Sequence, residues 1–260
     1  MLFALHLPAA ALALLAGGFT WLVTALGAAA VFFFSKENER LMTALLGFAA
    51  GVMLAASYWS LLAPAIELAA ESSLPPWLPA AAGFLAGAAF LRLTDRLLRR
   101  LRPRKGNRTK LLILSITLHN IPEGLAVGVA FGALAEDPSP ERLLAACAVA
   151  LGIAIQNYPE GAAVALPLLR EGESRLSSFL LGQASGLVEP AAALLGALLV
   201  TLVRSLLPWA LSFAAGAMVL VAAHELIPEC RRSGPKDSYL GTMGVILGFT
   251  VMMLLDVALG

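Results

Sequence analysis

Eight runs of predominantly apolar residues follow one another along the chain, at about 8–34, 41–64, 77–98, 111–134, 143–169, 176–203, 208–229 and 239–259. Each is long enough to cross a ~30 Å hydrocarbon core, which takes about 20 helical residues. Lipid offers no partner for backbone N–H and C=O groups, so a spanning segment must satisfy its own, as a helix does. The expected fold is therefore an all-α integral membrane protein of about eight helices. A split or re-entrant first segment would change the count to nine or seven. Of the 260 residues, 59% are hydrophobic and 13% charged, whereas soluble domains carry about 25% charged residues. The mean hydropathy is +0.83.

The longest polar connection is only about a dozen residues, so 1–260 reads as a single transmembrane domain. The first run lacks a basic leader and a convincing cleavage site, and is read as a retained span. Cys147 and Cys230 form no CxxC pair; both are expected to be packing residues without a disulfide.

Lysine and arginine set the orientation. With eight spans, the connections 1–2, 3–4, 5–6 and 7–8 share one side, and they hold 16 of the 18 basic residues. Nine of these lie between Arg92 and Lys110; only Arg142 and Arg204 fall opposite. The positive-inside rule then places both termini outside the cytoplasm and the basic 98–110 loop within it. Anchoring the topology, with contact to anionic lipid, accounts for that loop. No nucleic-acid partner is expected.

Two near-copies of one polar hexapeptide interrupt the apolar runs: His119-Asn120-Ile121-Pro122-Glu123-Gly124 in the fourth and Gln156-Asn157-Tyr158-Pro159-Glu160-Gly161 in the fifth. Glu189 lies at the centre of the sixth. A charged side chain at the bilayer centre costs roughly 2.5–3.5 kcal/mol on insertion scales. No Lys or Arg at that depth pairs with these three acids, which leaves protonation, water or a bound cation. A multivalent cation accounts best for three converging carboxylates.

Spacing supports the convergence. His119 and Glu123 are four residues apart and share a helix face, as do Gln156 and Glu160. Imidazole with carboxylate oxygens suits zinc or another first-row divalent metal. The absence of Cys argues for a site weak enough to release its ion. Pro122 and Pro159 free the carbonyls of Leu118 and Ile155, which is tolerated where backbone lines a polar cavity. Gly124 and Gly161 permit close helix approach. In the sixth run, Gln183 and Ser185 are expected to hydrogen-bond between helices.

A second pair of similar pieces ends the second and seventh runs: Ser60-Leu61-Leu62-Ala63-Pro64-Ala65-Ile66-Glu67 and His224-Glu225-Leu226-Ile227-Pro228-Glu229. Both are expected to finish in a proline–acid turn, one at each membrane face, as in an inverted repeat. Glu67 is then a candidate for collecting cations outside, and His224, Glu225 and Glu229 for receiving them inside. Asp256 in the last run is expected to pair with a Ser or Thr, and His6 is incidental.

Together these motifs resemble those of the ZIP (Zrt-, Irt-like) divalent metal transporters, most of all the bacterial gufA-type branch. The resemblance implies a metal centre between helices 4 and 5 that is binuclear in similar members. By motif position, His119, Glu123 and Glu160 would hold one ion. Asn120, Gln156, Asn157, Glu160 and Glu189 would hold the second, with Glu123 able to bridge. Many relatives have His where this chain has Gln156, and some have Asp where it has Asn157, which weakens the second position. The resemblance also implies zinc uptake toward the cytoplasm, elevator-like alternating access, a homodimer and a cell inner membrane location. Zn, Cd, Fe, Mn and Co all suit the ligands; no prosthetic group and no enzymatic activity are expected. Two other classes fit less well. An intramembrane metallohydrolase could activate a metal-bound water, but no span carries HExxH. A proton- or sodium-linked carrier of an organic solute lacks a visible grip on such a solute.

Overall fold

The structure is a computed structural model that describes residues 7–33, 39–70, 74–100, 108–135, 138–170, 172–202, 204–230 and 235–259. Within these helices the side chains of 108–119 and 229, among others, fall outside the description. Among the described residues the regular structure is entirely helical.

Eight long helices follow the apolar runs. Helix α1 is Ala9–Ala28, extended after Ala29 by Ala30–Phe33. Helix α2 joins Glu39–Ala56 to Ala63–Ala70 through a π turn at Ser57–Leu62. Helix α3 is Trp77–Arg100, α4 is Arg108–Gly132 and α5 is Pro140–Arg170. Helix α6 comprises Arg175–Gly186 and Val188–Leu202, broken at Leu187. Helix α7 is Leu207–Val221, continued by a π turn at Ala222–Leu226 and by Ile227–Glu229. Helix α8 is Pro235–Leu259.

Seven of these contain a segment long and apolar enough to cross a membrane. In α4 the described apolar part is the shorter Asn120–Ala135, although its 25 residues extend about 37 Å. The basic 98–110 stretch and Lys36, Arg231 and Arg232 lie outside the described side chains.

Local signals explain the helix starts. The Ser174 hydroxyl accepts the Ser177 N–H at 3.1 Å as the N-cap of α6. Ser139 does the same for Arg142 N–H at 3.3 Å, just ahead of Pro140 in α5. The prolines at 64 and 228 act differently from the turns expected there. A proline ring clashes with the carbonyl four residues back, and both helices widen before it. The Ala63 N–H reaches Tyr58 O and the Ile227 N–H reaches Ala222 O, each a five-residue bond. The helix therefore continues, and Glu67 sits within its last turns.

The most extensive packing joins α2 to α8, α4 to α6, α3 to α7 and α1 to α5. Exchanging α1 with α6, α2 with α7, α3 with α8 and α4 with α5 interchanges these pairs, as an inverted repeat would. The apolar solvent gives no drive for helices to associate, so small residues that allow close contact carry the packing. A Cβ on Gly51 or Gly248 would meet the carbonyl of the opposite helix in the α2–α8 pair. Helices α1, α4, α5 and α6 form a separate group around the polar residues.

Three smaller expectations resolve here. Asp256 Oδ1 accepts the Ser60 hydroxyl at 2.6 Å, tying α8 to α2. Gln183 accepts from Trp21 Nε1 at 3.1 Å across the α1–α6 contact. Ser185 instead donates to Gly182 O within its own helix, at 2.7 Å, because its hydroxyl can reach the preceding turn without crossing to a neighbour. Both cysteines are free; Cys230 is buried, but Cys147 is exposed on α5 and does not pack inside.

Candidate metal centre

The two hexapeptides meet at the middle of the α1–α4–α5–α6 group. Glu123, Gln156, Asn157 and Glu189 are 0% exposed and Asn120 is 1% exposed. Five polar side chains without access to solvent must find partners in one another.

The glycine after each glutamate explains how they meet. A Cβ on Gly124 would come within 2.6 Å of Glu189 O, on α6. A Cβ on Gly161 would collide with Thr24 O, on α1. The motif thus does two things in adjacent positions: the glutamate enters the centre, and the glycine admits the backbone of a third or fourth helix. Gly186 repeats the device, since a Cβ there would fall 2.9 Å from Glu189 Oε1. The break at Leu187 places Glu189 in the first turn of the second half of α6, where the helix dipole favours a negative charge.

The hydrogen bonds divide the centre in two. On one side, Gln156 Nε2 donates to Glu123 Oε1 at 2.7 Å, while Glu123 Oε2 is buried without a partner. On the other, Glu189 Oε1 accepts Asn120 Nδ2 at 3.2 Å and Thr24 Oγ1 at 3.3 Å, and Oε2 accepts Asn157 Nδ2 at 2.8 Å. The Asn157 amino group also reaches Thr20 O at 3.2 Å. The amide oxygens of Asn120, Gln156 and Asn157 are left buried and without donors. Four such acceptors in one place, on α4 and α5, are chemically suited to a cation, which is the partner an acceptor-only set lacks.

The Glu123 carboxyl lies within electrostatic reach of Glu160 and Glu189, and that of Glu160 within reach of Glu189 and Glu225. Glu160 is half-buried. Among the described residues, however, no three His, Cys, Asp or Glu side chains close to metal-binding distance. Amide groups stand between the acids. His119 belongs to α4, but its side chain lies outside the described residues, as does that of Glu229.

The remaining expected residues are more scattered. Glu67 is exposed near the end of α2. His224 is exposed and Glu225 half-buried in the π turn of α7. They line a small cleft against α3 together with Arg92 and Asp95, which form an ion pair at 3.6 Å. Thr20 and Thr24 on α1 were not singled out by the sequence. Threonine is common in membrane helices, and no spacing within α1 signals that these two face a glutamate 165 residues away.

Comparison with known proteins agrees with the geometry. Residues 104–256, which include both hexapeptides and Glu189, match the family model described as ZIP Zinc transporter. The human zinc transporter ZIP11 is 40% identical, covering 95% of this chain and 97% of its own length. The zinc transporter GufA of Myxococcus xanthus is also 40% identical, covering 91% of this chain and 94% of its own. The zinc transporter ZIPB of Bordetella bronchiseptica is 38% identical, with 95% of this chain and 81% of its own length aligned. With its membrane-length helices, its repeated hexapeptide and this breadth of likeness, the chain belongs to the ZIP zinc transporter family.

Proposed function

We propose that the protein carries divalent metal cations, zinc first, across the cell inner membrane into the cytoplasm, through the centre between α4 and α5. The observation that carries this reading is the set of four buried acceptor oxygens without donors, on Glu123, Asn120, Gln156 and Asn157. The printed names of the similar proteins, all zinc transporters, point the same way.

In this reading His119, Glu123 and Glu160 grip the ion, with the Gln156 amide oxygen in reach. Asn120, Asn157 and Glu189 form the adjoining half of the centre, the second position of a binuclear arrangement. Weak oxygen donors keep the ion exchangeable, as transport requires. The route onward runs from Glu160 to Glu225, which lies within its electrostatic reach, and then to the cleft holding His224. Glu229 belongs to the same end of α7, and exposed Glu67 would attract cations at the opposite face.

The grouping of α1, α4, α5 and α6 around the centre, beside the glycine-packed α2–α8 and α3–α7 pairs, suits an elevator-like movement. One polar-cored bundle would slide past a scaffold, exposing the centre to each side in turn. Eight spans, both termini outside the cytoplasm and a homodimer complete the reading, the orientation resting on the skew of basic residues.

Zinc uptake into proteoliposomes tests it. His119→Ala and Glu160→Ala should each abolish uptake while the protein still inserts and purifies as wild type. Undiminished uptake in both would remove the site assignment.

A further inference from the structure

We propose that Glu189 is a positioning residue and not a metal ligand in this chain, so that the centre holds one cation at a time, at Glu123 and Glu160. This rests on the metal-transport reading above and fixes its stoichiometry.

The argument starts from what each carboxylate already accepts. An ionised carboxylate offers about four lone-pair sites. Glu189 has three filled by donors from three other helices: Thr24 of α1, Asn120 of α4 and Asn157 of α5. The Thr20 hydroxyl lies beside the same carboxylate. Its position at the start of the second half of α6 adds the favourable end of the helix dipole. Glu123, in contrast, has one donor, and its Oε2 has none.

The amide of Asn157 decides the matter. Its amino group faces two acceptors at once, Glu189 Oε2 and Thr20 O. Turned over, its oxygen would face both, an arrangement that only a cation between them could hold. Binding a second ion at Glu189 would therefore require the amide to flip and give up both bonds. It would also withdraw Glu189 from the contacts that join α1, α4 and α5 to α6. An aspartate at 157 would reverse this balance, since two buried carboxylates facing each other demand a cation. The amide is thus the residue that selects a clamp over a ligand set.

Metal content of the purified full-length protein in nanodiscs, by elemental analysis and titration calorimetry with zinc, tests the proposal. The wild type should bind one zinc per chain at the centre. Glu189→Gln should also bind one, its Kd raised by no more than about tenfold, as for residues that orient ligands. Asn157→Asp should bind two, a gain that a merely structural role for Asn157 would not produce. Two ions in the wild type falling to one in Glu189→Gln would overturn the proposal, as would one ion in a folded Asn157→Asp. The wild-type count decides even if a variant does not fold. A wild type that binds none would remove the metal-transport reading itself, an outcome distinct from binding two.

Discussion

Glu123 and Glu189 are equally buried glutamates at the same centre, yet their surroundings treat them in opposite ways. Glu189 is surrounded by hydroxyl and amide donors from three helices. Glu123 has a single amide donor and a bare second oxygen. Burial of a charge is tolerated only with partners. Protein groups supply them for Glu189, and for Glu123 they are left to something that arrives. The same chemical group can therefore serve as a structural joint or as a receiver, depending on which donors its neighbours can aim at it.

Removing the receiver should have the largest effect. Glu123→Ala should lower zinc uptake by more than about 100-fold, beyond the range for residues that only orient ligands. The measurement is initial uptake rate in proteoliposomes at matched protein density. A small loss would place the cation elsewhere.

The glycines beside the acids come next. Gly124→Val forces side-chain atoms into the backbone at Glu189. Overpacking of this kind costs about 1–3 kcal/mol or more, so the melting temperature should fall clearly. An unchanged melting temperature would mean that α4 and α6 are farther apart than described here.

Truncating the joint should cost less than its contacts suggest. Glu189→Ala strands three buried donors, each worth about 1–3 kcal/mol at most, but they can rearrange toward one another or toward water. The expected outcome is a melting temperature lowered by several degrees. A drop no larger than that of a surface substitution would contradict the clamp.

Thr24→Val removes one bond of 3.3 Å and should cost about 1 kcal/mol, recovered by Thr24→Ser. A loss that serine does not recover would assign the threonine to packing.

Much of this was legible in the sequence. The apolar runs dictated helices because lipid permits little else, and seven of them reappear as membrane-length helices. The hexapeptides announced a buried polar centre, because carboxylates and amides do not otherwise persist in such runs. The prolines at 64 and 228 also stood out, but not their effect. Whether a helix turns or widens at a proline depends on what the neighbouring helices hold in place, here as π turns. The pairing of Asp256 with a hydroxyl was foreseeable, but not that Ser60 would supply it.

The residue types thus settled that a cation-seeking centre exists and which two motifs build it, since each ionisable group in lipid needs a partner somewhere. They could not settle how the partners are shared. Thr24 enters from α1, 165 positions from Glu189, and Asn157 turns its amino group toward Glu189 only because Thr20 O lies alongside. Hydrogen bonds are short and directional, so a difference of one helix face decides whether a glutamate is saturated or open. That decision belongs to the packing of α1 and α6 against α4 and α5.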